Sequence, residues 1–436
     1  PLGPWPTTTT KISIMSKPRI QSLKAQEVLD SRGTPTVLAR VILDNGVMTE
    51  AAVPSGASTG QNEAHELRDG DKARFSGKGV LQAIRNIETE ILFALKGLSV
   101  DDQILLDEKM LTLDGTTDKS RLGANAILAV SQAVARAGAQ VADLPLYAYL
   151  AQQFGTENDC RLPTPLANMI NGGQHASRGL DWQEFWVIPK GVEDFPSQYE
   201  AVKKIYLATE SIIRAKGYEV STGDEAGYVA ELPNAEIAWE ILLAAITAAG
   251  YQPARDIFLG MDVGASTFFN PEDDSYTLPR AGKKFKARQL LEIYRQWWMN
   301  YPLVVLEDPF GENDWENWQI ISTMTQTMDM KIIGDDLFTT NPRRLEMGIS
   351  KKAGNGIIIK PNQIGTVTET MRTAALAREN GYILVASHRS GETGDTFIAD
   401  LAVSIGAEFI KAGAPGRSER TAKYDRLLDI YHQLYE

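Results

Sequence analysis

IFLGMD (257–262), PLVVLE (302–307), KIIGD (331–335), GIIIK (356–360), YILVASH (382–388) and AEFIK (407–411) are apolar runs that each end on a residue able to do chemistry. Those last residues are Asp262, Glu307, Asp335, Lys360, His388 and Lys411. The last four intervals between them, 28, 25, 28 and 23 residues, each suit one strand, one helix and their loops. A β/α barrel points the C-terminal end of every strand at one face, so residues distant in the chain converge there. Three carboxylates, two lysines and a histidine at one mouth describe a metal-assisted acid/base site. The expected class is α/β, a C-terminal β/α barrel preceded by a smaller α+β domain.

Upstream of the barrel the pattern changes. From Ile20 to Val53 the chain alternates as strands do, with VLARVIL and VMTEAAV flanking the hairpin signal Asp44-Asn45-Gly46. A Gly/Ser loop follows at 54–60, then apolar residues at helical spacing over 79–96, 102–113 and 123–140, and Pro145 opens another helix. Strands followed by helices make an α+β domain over 19–155, and the polar stretch 155–161 reads as a linker into a barrel over 156–436. Strands and helices then alternate to the end, with an irregular start expected between 165 and 260. Residues 1–18, rich in Pro and Thr, read as a flexible extension with Met15 as a candidate start.

At 436 residues two domains are the natural expectation. The net charge of −12 argues against a nucleic-acid partner, which calls for a basic surface. It leaves room for a small anion held in a local pocket of cations. No apolar stretch is long enough to cross a bilayer. The lone cysteine, Cys160, rules out an internal disulfide and any Cys-based zinc cluster, and a reducing cytoplasm is the expected location.

Longer motifs carry a resemblance: VLDSRGTPTV (28–37), VPSGASTG (53–60), KSRLGANAILAVS (119–131), NGGQHA (171–176), QEF (183–185), GDE (223–225), LEDPF (306–310) and NDW (313–315). They continue with GDDLFTTNP (334–342), IIKPNQIGTVTET (358–370), SHRSGET (387–393), IKAGAP (410–415) and RSERTAKY (417–424). In this order they resemble the enolase family, the glycolytic phosphopyruvate hydratases, across nearly the whole chain. The resemblance implies an enolase-type barrel with irregular first strands. It also implies Mg²⁺-dependent interconversion of 2-phosphoglycerate and phosphoenolpyruvate, with two ions per site.

By the same resemblance Asp262, Glu307 and Asp335 match the magnesium ligands, an all-oxygen set suited to a hard cation. Ser58, in the Gly-rich loop, matches a lid residue that helps bind the second ion. Lys360 matches the general base and Glu225 the general acid; Glu184 and Gln183 match a supporting pair, and His175 and His388 the site histidines. Arg389 and Ser390 match the phosphate clamp, and Lys411 a cationic neighbour of the base.

Removing a proton beside a carboxylate builds a dianion that needs divalent cations. The base must lose its charge, so Lys411 and the ions are expected to lower the proton affinity of Lys360. Burial or a nearby acid such as Glu184 is expected to raise that of Glu225. Ser390 and Gly391 are expected to open a helix whose N–H groups favour an anion. The run Arg417–Arg420 reads as a solvated helix start that could border the mouth, His65 and His432 as surface residues, and Trp297, Trp298 and Tyr301 as packing.

The chain departs from the family pattern at Ala226 (usually Gly), Arg178 (usually Asn), Gly394 (usually an acid) and Gly416 (usually Ala). Trp182 and Trp186 flank QEF where smaller residues are common, and the chain stops at Glu436 without the family's usual Gly/aromatic tail. The competing readings are a paralogue acting on a related phosphonate or phosphorylated acid, and a non-catalytic scaffold, which the retained acid, base and metal positions disfavour. A homodimer or higher homo-oligomer is what the resemblance implies.

Overall fold

The computed structural model describes residues 17–56 and 60–436, so residues 1–16 of the expected extension, and Ser58, lie outside the described residues. Strands Ile20–Leu29, Pro35–Leu43 and Met48–Ala52 form an antiparallel sheet in chain order. Alternation along PTVLARVIL sends Val37, Ala39, Val41 and Leu43 into the core. The expected hairpin turn is present, with Gly46 at φ 87 donating its N–H to Leu43 O at 3.1 Å. Helix Ala124–Ala142 lies against this sheet, and its small residues also let Pro361–Ile364 and Val367–Glu379 of the barrel approach it. Across the seam the Arg136 guanidinium donates to both Asp395 oxygens at 2.7 and 2.6 Å.

In the barrel the expected runs form strands Phe258–Asp262, Leu303–Glu307, Lys331–Gly334, Gly356–Ile359, Ile383–Ser387 and Phe409–Lys411, paired in parallel in that order. The longer interval between Asp262 and Glu307 holds an inserted antiparallel sheet, Phe269–Asn270, Ser275–Leu278 and Lys283–Phe285. The irregular start is specific. Glu184–Ile188 runs antiparallel to Phe258–Asp262 and to Ala167–Asn171. Thr164–Pro165, just ahead of Ala167–Asn171, pairs with Phe409–Lys411, so one stretch of chain joins both ends of the curled sheet. Reversal of Glu184–Ile188 matters chemically, because its first residue, Glu184, stands at the mouth in register with Asp262.

Leu166, Trp186, Ile188, Val305, Ile333, Ile358, Val385 and Phe409 pack together inside the barrel. Trp297 packs edge-on against Trp182 at 5.1 Å, within the packing cluster expected for it. Among the described residues no helix is long and apolar enough to cross a membrane.

Candidate active site at the barrel mouth

Lys411, the last residue of its strand, is fully enclosed, and its ammonium gathers the acids around it. Nζ lies 3.2 Å from Glu184 Oε1, 3.3 Å from Asp262 Oδ2 and 3.0 Å from both oxygens of Glu307. Below it the Trp186 ring sits 4.9 Å away. Burial pushes the Asp262 carboxyl up, Lys411 only partly countering it. Burial, with repulsion from Asp262, holds Glu307 well above the usual carboxylate range. One ammonium thus balances three buried carboxylates incompletely.

The neighbouring strand ends make a second group. Asp335 accepts from Lys360 Nζ through Oδ2 and from Gln363 Nε2 through Oδ1 at 2.9 Å. Burial opposes the charge of Asp335, yet Lys360 and Lys411 bring its proton affinity below normal. Lys360 is buried; the expected lowering rested on Lys411 together with the ions, and among the side chains alone the balance goes the other way. Burial, Arg389 and Lys411 do favour the neutral amine, but Asp335 outweighs them and the value rises. Asp308, at φ 41, caps the backbone N–H groups of Asp335 and Asp336 at 3.0 and 2.8 Å. Burial and Asp335 push Asp336 up to about 8.

The acid side is built from loops. Glu184 Oε2 accepts from Trp186 Nε1 at 2.7 Å, and Oε1 lies 3.4 Å from His175 Nδ1. His175 also lies 3.6 Å from Glu225 Oε1. Burial would lower the His175 proton affinity, but Glu225 and Glu184 push it up to about 9. Glu225 Oε2 accepts from Asn168 Nδ2 at 3.1 Å and faces His388 Nε2 at 3.4 Å. Here an expectation is corrected. Burial does push Glu225 up, but His175 and His388 together with Lys411 hold it well below the carboxylate range.

Arg389 is buried and forks onto Glu63, Nη1 to Oε2 at 2.9 Å and Nη2 to Oε1 at 3.2 Å, and also reaches Asn362 Oδ1 at 3.1 Å. Ser390 lies beside it, its carbonyl accepting from Arg420 Nη2 at 2.7 Å. The expected helix opening at Ser390 and Gly391 is not there. Gly391 instead bridges Ser55, N–H to O at 3.0 Å and O to N–H at 2.8 Å, and the next helix is Phe397–Ser404. Its backbone donor is therefore engaged rather than free for an anion.

One small polar cavity is lined by His175, Gln183, Glu184, Glu225, Asp262, Asp335, Lys360, His388, Arg389, Ser390 and Lys411. Glu307 does not line it; at 0% exposure it lies beneath Lys411. Asp262, Glu307 and Asp335 stand on adjacent strand ends but are split between two lysines. Among the described residues, two groups bring ligand-type atoms within 4.8 Å of one another: the acids Asp308, Asp335 and Asp336, and separately His175 with Glu184 and Glu225. His65 and His432 are exposed, as expected.

The residues fit a hard divalent cation. The donors at the strand ends are all oxygen, and the raised proton affinities of Asp262 and Glu307 register negative charge that the lysines leave unmatched. Asp262, Glu307 and Asp335 are strand-end side chains that could hold it.

Several contributors were not picked out from sequence: Glu63, Asp308, Asp336, Gln363 and, above all, Arg420. The expected solvated start is corrected at Arg420, which is 0% exposed. Its Nη1 meets His388 Nδ1 at 2.6 Å and Arg389 O at 2.8 Å, while Nη2 donates to Asp224 O at 2.9 Å. The departures from the pattern also acquire reasons. Gly416 leaves room for the Tyr206 hydroxyl, which a Cβ would meet at 2.4 Å; Ala226, by contrast, adopts φ 67, the left-handed region that favours the pattern's glycine, with its carbonyl accepting from that hydroxyl at 2.9 Å. Arg178 points to Glu219 at 3.6 Å on the surface. Nothing in the structure explains Gly394.

Comparison with protein families agrees with this architecture. The family model for "Enolase, N-terminal domain" matches residues 20–150. The model for "Enolase, C-terminal TIM barrel domain" matches residues 159–436, more than half the chain and the whole of the barrel that carries these side chains. The chain belongs to the enolase family.

Proposed function

We propose that the protein is a phosphopyruvate hydratase, interconverting 2-phosphoglycerate and phosphoenolpyruvate plus water. The observation that supports this most is one cavity lined at once by a buried lysine, a histidine-flanked carboxylate, strand-end acids and a buried arginine. In this reading Lys360 Nζ takes the proton from C2. For that it must be neutral, and its proton is held chiefly by Asp335. With Asp335 engaged as a cation ligand, burial, Arg389 and Lys411 are left to favour the free amine. Bound Mg²⁺, two ions per site, supplies positive charge against the substrate carboxylate as it gains electron density.

Glu225, within reach of His175 and His388, gives the proton that lets hydroxide leave C3. Glu225 is held low while His175 is pushed up to about 9, so the proton for that step is one the Glu184–Glu225–His175 group already keeps on His175. Gln183 Nε2 fixes Asp262 Oδ2 at 2.9 Å. Arg389 and Ser390 take the substrate phosphate, the planar guanidinium suiting two-point contact once it exchanges Glu63 for the ligand. Ser58, outside the described residues, would help hold the second ion when it is bound. The setting is a cytoplasmic homodimer or higher homo-oligomer, with the chain divided into a capping domain over 19–155 and a barrel over 156–436.

A second reading, a related phosphonate or phosphorylated acid, draws support from Ala226 and Trp186, which depart from the family pattern beside Glu225 and Glu184. Ultraviolet detection of phosphoenolpyruvate from 2-phosphoglycerate with Mg²⁺ separates the two. Turnover at an ordinary enzymatic rate supports the hydratase; negligible turnover favours the second reading.

A further inference from the structure

The first turn of helix Ser418–Tyr435 holds a cation where the helix dipole disfavours one. Arg420 is enclosed completely, yet its nearest carboxylate is Glu419, 3.8 Å from Nε. Beyond that one distant ion pair its close partners are uncharged: the carbonyls of Asp224, Arg389 and Ser390, and the Nδ1 nitrogen of His388 at 2.6 Å. A buried guanidinium so weakly compensated is costly, so its contacts should matter.

The contact with His388 decides a chemical question. A guanidinium has only donors. A ring nitrogen 2.6 Å from one must therefore present its lone pair, which leaves the ring proton on Nε2, facing Glu225 Oε2 at 3.4 Å. Nε2 and Glu225 stand at ion-pair distance, with no hydrogen bond of standard geometry between them. Protonating Nδ1 would set N–H against N–H between two fully buried side chains.

We propose that Arg420 is a positioning residue that locks His388 in the neutral Nε2–H tautomer, so that His388 orients Glu225 by turning its N–H toward it and never carries the proton itself. This deepens the hydratase reading and, for its kinetic consequences, rests on it. Proton delivery to the leaving hydroxide then falls to Glu225 and the His175–Glu184 side of the site. The charged groups acting on His388 agree: burial and Arg420 oppose an imidazolium, Glu225 and Glu184 favour one, and the balance lies below the ordinary value. By holding Asp224 O and Ser390 O in the same grip, Arg420 also ties together the loops that carry Glu225 and the phosphate clamp.

Nitrogen NMR of histidine-labelled wild-type protein tests this without substrate. The expected spectrum shows an unprotonated Nδ1 and a protonated Nε2 at His388, unchanged from about pH 5 to about pH 8, the range in which an ordinary histidine changes charge. A protonated Nδ1, or an imidazolium in that range, overturns the proposal. Arg420→Met supplies the kinetic arm: kcat falls about 100-fold, near the lower end of a positioned proton donor's contribution, with KM little changed. The variant's pH profile gains an ionisation near about 6.5, that of a released histidine. Wild-type kcat and pH profile in a folded Arg420→Met would also overturn the proposal, and if this variant does not fold the wild-type spectrum decides alone. Should wild type not turn over 2-phosphoglycerate, the hydratase reading fails while the spectrum still judges the tautomer.

Discussion

Lys411→Met isolates charge compensation at the mouth, because methionine keeps an unbranched stem over Trp186 and drops only the ammonium. That ammonium lies 3.0 to 3.3 Å from Glu184, Asp262 and Glu307. Removing one member of a buried ion pair costs about 3–5 kcal/mol. At roughly 2 °C per kcal/mol for a domain of this size, melting should drop by about 6–10 °C at alkaline pH. The loss has a definite pH signature. Burial and mutual repulsion hold Glu307 well above, and Asp262 above, the usual carboxylate range. The folded protein therefore keeps protons that an unfolded chain, with carboxyls near about 4, has released. A group raised in this way contributes stability fully at pH below the unfolded value and loses it as pH climbs through the folded value. Without the ammonium both carboxyls move further up, so the variant should lose stability more steeply with rising pH and converge toward wild type near about pH 5. Calorimetry in chelator at about pH 5 and about pH 8 measures the gap, and added Mg²⁺ should recover part of it at the higher pH. Equal melting of variant and wild type at both values would refute Lys411 as the balancing charge.

Lys360→Ala should abolish exchange of the C2 hydrogen of 2-phosphoglycerate with solvent, and Glu225→Gln should keep that exchange while losing dehydration; deuterium incorporation followed by NMR reads both. Trp186→Phe keeps an aromatic ring inside the barrel but removes the donor 2.7 Å from Glu184 Oε2. It should cost about 1–3 kcal/mol for the buried acceptor left unpaired, seen in chemical denaturation. Arg280, on the turn after Ser275–Leu278, donates to Gly173 O, Ala176 O and Leu180 O at 3.0, 2.6 and 2.6 Å. Arg280→Ala should speed amide exchange across residues 172–183, the loop carrying His175, with little change in global melting; unaltered exchange would rule out the tether. Gly416→Ala forces a methyl to within 2.4 Å of the Tyr206 hydroxyl and should destabilise by about 1–3 kcal/mol in the same denaturation assay.

The barrel was legible because each strand is a short, fully buried apolar run that stops at a polar residue, as Gly356–Ile359 does before Lys360. Burial on both faces removes the alternation that would otherwise mark a strand, so the repeat spacing carried the reading. Direction was not legible. EFWVI in Glu184–Ile188 looks like its parallel neighbours, and only pairing with Phe258–Asp262 reveals that it runs the other way.

For the site, residue types were legible and net electrostatics were not. The sequence places Lys360 near Lys411, which argues for a lowered proton affinity, but which charge lies closest is a matter of side-chain geometry, and Asp335 is the one that touches it. Glu225 failed in the mirror sense, since two imidazoles reach it from separate loops. Arg420 was obscured by its neighbours, RSER reading as a solvated helix start. Yet a signal was present. On helix Ser418–Tyr435, Arg420, Tyr424 and Leu427 fall at i, i+4 and i+7, and all three are buried. An arginine on the apolar stripe of a helix has no reason to be there unless something inside needs a donor, and here the something is a histidine nitrogen that must stay bare.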